Sequence, residues 1–311
     1  MNTTHLVTHS GGFHADELLS SVILTRLFPE ATLIRSRDPK WITAAPGRII
    51  YDVGGQYDPA QGVFDHHQRP TPARPSGQPF SSFGLVWTSY GRDYLAALGV
   101  PAGDIDAVHA SFDDSFVLPI DLMDNGAVDP SSAGPLLARM TLPVLLESLK
   151  PVFDDAAPDA DDRAFAEALP IARAFVEASI ARSAAKLRAA GIVADAIAAA
   201  GDGAVLELPM GMPFRSAIEE AGADQLLFVV HPRKVDWALT GIRITENTFE
   251  QRADLPAAWA GLSDAALEAA CGVPGAKFCH TGRFLAIASS REAALRMAAL
   301  AVEDAGAQHK A

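Results

Sequence analysis

The stretch Leu6-Val7-Thr8-His9-Ser10-Gly11-Gly12-Phe13-His14-Ala15-Asp16-Glu17 decides the fold. Leu6 to His9 reads as the end of a buried strand, Ser10-Gly11-Gly12 as a tight turn, and Phe13 to Glu17 as the opening of a helix. Apolar residues recur at helical spacing over residues 17–28 and stop at Pro29. Residues 31–36 are strand-like, and residues 49–53 form another strand. That alternation predicts an α/β fold with a parallel sheet. Ligands of open α/β sheets collect at the C-terminal strand ends. His9 falls at such an end, and Arg48-Ile49-Ile50-Tyr51-Asp52-Val53-Gly54-Gly55 delivers a single carboxylate to another.

Further along, Arg69-Pro70-Thr71-Pro72-Ala73-Arg74-Pro75-Ser76-Gly77 is too rigid and polar for a core and reads as a loop covering a site. Ser81-Ser82 then caps a helix that runs through Phe83-Gly84-Leu85-Val86-Trp87 to Leu98. Residues 151–163, rich in Asp, read as a solvated connector. Ala-rich helical sequence follows over residues 164–200, with Phe165, Leu169, Ala172, Phe175, Val176 and Ile180 in one apolar stripe. Strands at residues 204–208, 225–231, 237–245 and 283–288 and a closing helix at 291–304 predict a second α/β domain. A chain of 311 residues is long for one core. The expected organisation is a metal-binding catalytic domain over 1–155, a helical connector over 156–202 and a smaller substrate-binding domain over 203–311.

Composition narrows the class. Apolar residues make up 49% of the chain, yet no segment is long and uncharged enough to span a bilayer. The N-terminus lacks the basic stretch and apolar run of a secretory signal. A soluble, cytoplasmic protein without a membrane partner is expected. Cys271 and Cys279 form no Cys-x-x-Cys pair and read as reduced, which sets zinc-ribbon chemistry aside. A net charge of −13 argues against coating long nucleic acids through phosphate neutralisation. It leaves room for a small phosphate-bearing substrate held through a metal, because bound cations reverse the local field.

The chemistry centres on Val63-Phe64-Asp65-His66-His67-Gln68. Two imidazoles and a carboxylate packed so tightly are costly to bury unless a divalent metal pairs with them. His9, His14 and Asp16 crowd the strand-to-helix turn. Pro119-Ile120-Asp121-Leu122-Met123-Asp124-Asn125-Gly126 adds another acidic site, in which Asp121 and Asp124 compete. Together His9, His14, Asp16, Asp52, His66 and Asp124 supply enough nitrogen and oxygen ligands for two ions, if one carboxylate serves both. Such ligands without thiolate favour Mn²⁺, with Mg²⁺, Co²⁺ or Zn²⁺ less easily excluded. Two ions about 3.5–4 Å apart hold a bridging hydroxide in line with a phosphorus and neutralise the developing charge. Phosphoester hydrolysis with that hydroxide as nucleophile is therefore expected. Asp65 reads as a residue of the catalytic centre that orients His66 rather than a ligand. Ser81 and Ser82 read either as a helix cap or as a phosphate-binding pair.

The order His9…His14-x-Asp16, Asp52, Asp65-His66-His67 and a later Asp resembles the layout of the DHH phosphoesterase superfamily, named for its Asp-His-His signature. More narrowly, the chain is similar to the melanocyte-proliferating-gene exonuclease family in Gly12-Phe13-His14-Ala15-Asp16-Glu17, Tyr51-Asp52-Val53-Gly54-Gly55, Phe64-Asp65-His66-His67-Gln68, Ser81-Ser82-Phe83-Gly84-Leu85-Val86-Trp87 and Asp121-Leu122-Met123-Asp124-Asn125-Gly126. The likeness extends to Phe249-Glu250-Gln251-Arg252, Leu255-Pro256, Trp259-Ala260-Gly261-Leu262 and Phe278-Cys279-His280-Thr281-Gly282-Arg283-Phe284, and so covers nearly the full length. Two departures stand out: Ala15 replaces a frequent Cys, and Leu285-Ala286 replaces the Gly-Gly that usually follows the last Phe. The resemblance implies a DHH-type first domain, an active site in the cleft between two domains, and 3′-to-5′ exonuclease activity on RNA. It implies one metal on His9, His14 and Asp52 and a second on Asp16, Asp52, His66 and Asp124, with Asp121 able to replace Asp124. It also implies that His67 faces the substrate phosphate and that Arg252, His280 and Arg283 reach across from the second domain.

The expectation is thus a phosphodiesterase with two divalent ions acting on RNA, short oligonucleotides or nucleotides. A pyrophosphatase or small-molecule phosphoesterase of the same fold would use the same ligands, as would a metal-binding regulatory protein without turnover. The oligomeric state stays open, a homo-oligomer included. His5, His109 and His231 have no acidic company at suitable spacing and are set aside.

Overall fold

The computed structural model describes residues 3–134, 136–245 and 248–308. The chain divides into two compact units, one ending at Ala184 and the other starting at Ala185. The first opens with strand β1 (His5–Thr8), helix α1 (Ala15–Leu27), β2 (Thr32–Arg35), the short α2 (Pro39–Ile42), β3 (Arg48–Tyr51), β4 (Tyr57–Asp58) and β5 (Val63–Phe64). These strands form a five-stranded sheet in the order β2-β1-β3-β5-β4. The first four strands in that order run parallel, and β4 is an antiparallel edge. Interior strands of a parallel sheet are covered on both faces, so their sequences are continuously apolar. Leu6, Val7, Ile50 and Tyr51 are accordingly inaccessible.

Helix α1 is buried from Ala15 to Leu24, ten of its thirteen residues, as expected of a helix without a polar face. That burial encloses polar groups. Ser21 satisfies itself by donating to the Glu17 carbonyl and by sharing a 2.6 Å hydrogen bond with the Tyr51 hydroxyl. Gly62 brings β5 beside β3 with φ +74°; a Cβ there would stand 2.7 Å from the Arg48 carbonyl oxygen. Only glycine fits that approach.

Helix α3 (Ser82–Ala97) packs on α1 and is followed by α4 (Ile105–Phe112), a π-helical turn (Asp113–Val117), α5 (Leu118–Asp124) and α6 (Leu142–Glu147). The sequence pattern leaves the run from 105 to 124 unassigned, and the π turn explains why. Val108 and Phe112 are buried four apart, but the next buried residue, Val117, comes five later, which breaks the helical period. Helix α7 (Ala160–Ala200) starts inside the segment expected to be a connector. Its buried row is Phe165, Ala168, Ala172, Val176 and Ile180. Phe175, expected in that stripe, lies one position off the row and is 45% exposed. No described helix is long and apolar enough to cross a membrane.

The second unit contains β6 (Val205–Glu207), α8 (Arg215–Glu220), β7 (Phe228–Pro232), β8 (Trp237–Gly241), α9 (Asp264–Cys271), β9 (Ala276–Cys279), β10 (Leu285–Ala288) and α10 (Arg291–Gln308). Its sheet runs β6-β7-β8-β10-β9, with β6 and β7 parallel and the remaining pairs antiparallel. Alternation along β7 serves two cores. Phe228 and Val230 face Met297, Ala298 and Ala301 of α10, whereas Val229 joins Leu206, Phe214 and Ile218. Leu285-Ala286, one of the two departures noted above, opens β10, where Ala286 is fully buried.

Candidate metal centre

The C-terminal ends of three parallel strands and the first turn of α1 converge within the first unit. His9 follows β1, Asp52 follows β3, and Asp65-His66-His67 follow β5. His14 precedes α1, whose first turn carries Asp16 and Glu17; Asp124 ends α5. His9 Nε2 lies 3.0 Å from Glu17 Oε1 and 3.2 Å from Asp52 Oδ2. The other Asp52 oxygen is 3.4 Å from His66 Nε2, which also stands 3.5 Å from Asp124 Oδ2 and 3.8 Å from Asp16 Oδ2. Three groups result whose donor atoms all lie within 4.8 Å of one another: His9 with His14, Glu17 and Asp52; Asp52 with His66 and His67; and Asp16 with His66 and Asp124. Asp52 belongs to the first two and His66 to the last two.

The electrostatics of this cluster call for cations. Asp16 and Asp52 each bury an Oδ1 without a hydrogen bond of good geometry, an expensive arrangement unless positive charge stands close. Burial, followed by the charges of Asp52, Asp124 and Glu17, raises the Asp16 carboxyl well above the usual range. Burial likewise lifts Asp124 to about 6, helped by Asp52 and opposed by His66 and His14. Burial works against a charged His9, yet hydrogen bonds and charges from Asp52 and Glu17 raise it to about 10. His66 is raised in the same way, mainly by Asp52 against its burial. Asp52 resists burial and falls to about 2 because both imidazoles hold it. Protons thus gather where divalent ions would answer the same demand. Nitrogen and carboxylate donors with vacant lone pairs fit such ions.

Asp65 is buried and accepts from Gly55 N at 2.6 Å and from His67 Nδ1 at 2.7 Å. It therefore orients His67, not His66 as the sequence reading has it. Asp121 also departs from expectation. Its carboxylate is fully buried and accepts from Arg74 Nη1 at 2.6 Å, Ser81 Oγ at 2.6 Å, and the backbone N–H groups of Ser81 and Gly84, both at 3.1 Å. These bonds occupy it as the anion at the start of α3, so Asp124 is the residue that faces the cluster. Ser81 and Ser82 are fully buried as well. Ser81 donates to Asp121, the Ser82 hydroxyl donates to the Phe64 carbonyl at 2.7 Å, and Ser82 N donates to Asp16 Oδ2 at 3.3 Å. Both hydroxyls, read above either as a helix cap or as a phosphate-binding pair, are thus committed within the chain, to Asp121 and to the Phe64 carbonyl.

The family model MYG1_exonuc, described as uncharacterised protein family UPF0160, matches residues 5–302. The chain belongs to this family. The Schizosaccharomyces pombe "MYG1 protein C694.04c" is 31% identical over 323 residues, covering 97% of this chain and 98% of that protein. The human "MYG1 exonuclease" is 31% identical over 319 residues, covering 94% of this chain and 84% of that protein. Among solved structures, RecJ in complex with Mn²⁺ from Thermus thermophilus aligns over 96% of this chain and 52% of its own, at 15% identity and a TM-score of 0.27.

Of the site residues expected in this family member, Arg252, His280 and Arg283 lie in the second unit. Arg252 donates to the carbonyls of Ala223 and Leu226 at 2.7 and 3.1 Å. Arg283 donates to Asp254 at 2.6 Å, and His280 Nδ1 accepts from Gly282 N at 2.9 Å. The sequence reading missed Glu17 as a member of the cluster. Its signal was present: Glu17 stands three residues after His14 and accepts from His14 N at 2.8 Å, the spacing of a capping box. Arg74 carried no such signal, since nothing in a Pro-rich loop predicts a buried partner.

Proposed function

We propose that the first unit houses a divalent-metal-dependent phosphodiesterase centre acting as a 3′-to-5′ exonuclease on RNA or short oligonucleotides, with Mn²⁺ as its ion. The observation that carries this reading is the convergence on Asp52, whose two oxygens face His9 on one side and His66 on the other. A carboxylate so placed suits two neighbouring ions. A bound pair of divalent ions supplies water acidified to near neutrality and charge neutralisation on phosphoryl oxygens. The protein's own groups do the rest. Glu17 fixes His9, the α3 amide of Ser82 fixes Asp16, and Asp65 fixes His67 through Nδ1, which leaves Nε2 of this exposed ring for a phosphate oxygen. The net charge of −13 favours short substrates over an extended phosphate track.

The test is Mn²⁺-dependent release of 5′-mononucleotides from a short 5′- or 3′-labelled RNA, run beside bis-p-nitrophenyl phosphate and pyrophosphate. Mononucleotide release that disappears in His66→Ala and Asp52→Asn supports the proposal. Cleavage of pyrophosphate alone, or tight Mn²⁺ binding without turnover on any phosphoester, overturns it.

A further inference from the structure

Two cavities border the cluster. One, of about 370 Å³, has Arg69 in its wall; the other, of about 270 Å³, has Arg37. His14, Asp52 and His67 line both, so both cavities adjoin the candidate centre and each has one arginine in its wall. Six guanidinium groups of this unit, those of Arg26, Arg35, Arg74, Arg92, Arg163 and Arg173, each pair with a carboxylate. Arg69 has no hydrogen-bond or ion-pair partner among the described residues, although Asp16 and Asp124 share its cavity. Arg37 gives only its Nε, to the Ser10 carbonyl at 3.3 Å, and keeps its outer nitrogens available.

Charge balance gives these two a purpose. Asp16, Glu17, Asp52 and Asp124, once ionised, offset two divalent ions in full, so a filled centre, whatever it does for the phosphoryl group bound to it, has no surplus positive charge for a neighbouring phosphate. Guanidinium forks match phosphate oxygens two at a time. We propose that Arg69 and Arg37 are phosphate-positioning residues in the two cavities that adjoin the centre, which makes a strand with at least two phosphates its proper substrate. This rests on the phosphodiesterase reading above and adds the substrate class to it.

The experiment uses the full chain loaded with Mn²⁺ and the ribodinucleotide pApA, with 5′-AMP as the one-phosphate probe. Affinity is read by calorimetry, and hydrolysis of pApA is resolved into KM and kcat. Arg69→Gln and Arg37→Gln are each expected to weaken pApA binding about 10- to 100-fold, the loss typical of a charge-assisted hydrogen bond. KM should move more than kcat, and the double variant should bind pApA no better than AMP. The Mn²⁺-induced rise in melting temperature should match wild type, which a merely structural role would disturb. Arg69→Lys and Arg37→Lys, which keep the charge and lose the fork, should recover part of the affinity. Wild-type turnover with pApA affinity and KM unchanged in both Gln variants overturns this inference and leaves the phosphodiesterase reading standing. An effect from one variant alone overturns the two-arginine arrangement. A wild type that neither binds nor cleaves pApA with Mn²⁺ bound removes the phosphodiesterase reading, and this inference with it.

Discussion

Replacing Arg74 by Met tests the buried network that ties the loop after β5 to α5. Arg74 Nη1 meets Asp121 at 2.6 Å, and Nη2 meets Asp113 at 3.0 Å. With Asp121 at 0% exposure, losing the guanidinium strands a charge in the interior. Breaking a buried pair from one side costs about 3–5 kcal/mol. Asp121 keeps its bonds to Ser81 and Gly84, which places the cost near the lower end. In a unit of this size that is a fall in melting temperature of roughly 6–20 °C. The pH dependence has a definite sign. Burial already holds the Asp121 carboxyl above its ordinary value, against the pull of Ser81 and Arg74. An acid raised in the folded state stabilises while protonated, and that contribution is lost as pH rises through the folded pKa. Removing Arg74 raises it further. The penalty should therefore be full above the folded pKa and shrink as pH falls through it, by up to about 1.4 kcal/mol per pH unit. Calorimetric melts of both proteins from pH 5 to 8 measure it, since carboxylates that do not touch Arg74 cancel in the difference. A penalty below about 1 kcal/mol at pH 8, or one that grows as pH falls, refutes the argument.

Mn²⁺ binding at pH 7.5 should release protons, because His9, raised to about 10 by Asp52 and Glu17 against its burial, must give one up to a metal. Calorimetry in buffers of different ionisation enthalpy reads this directly, and binding without proton release contradicts it; affinity should fall about tenfold per pH unit for each proton displaced. Gly84→Ala would set a Cβ 2.7 Å from both Asp121 Oδ1 and Phe80 Cδ1, so a loss of about 1–3 kcal/mol is expected in urea unfolding. Cys279, inaccessible and with its thiol pushed by burial up to about 11, should resist iodoacetamide at pH 7.5 until the protein is unfolded; rapid labelling at Cys279 itself, located by peptide mass against the partly buried Cys271, would show that the second core is more open than described.

The parallel sheet was legible because β1 and β3 are buried on both faces and their apolar runs end abruptly at His9 and Asp52. Strand ends are local features, and the convergence of their side chains follows from strand order. The run 105–124 was illegible because its π turn shifts the buried face by one residue. Asp121 and Asp124, three apart on one short helix, present equal sequence claims. Arg74 settles their roles, and its position is fixed only once the loop is folded against α5. Ser81 and Ser82 illustrate the same limit. A helix start announces free amides, but not whether a carboxylate of the chain itself will reach them first.

Asp52 has a backbone φ of +54°. Among non-glycine residues, Asp and Asn adopt that left-handed region several-fold more readily than others, and branched or bulky side chains are strained there. The turn after β3 thus acts as a sieve on chemistry. Glu has the same functional group and a longer reach, but gains nothing from the local hydrogen bonds that ease a short side chain into this conformation. Asn passes the sieve and lacks the charge, which makes it the cleanest replacement for separating what the carboxylate does from what the bend requires.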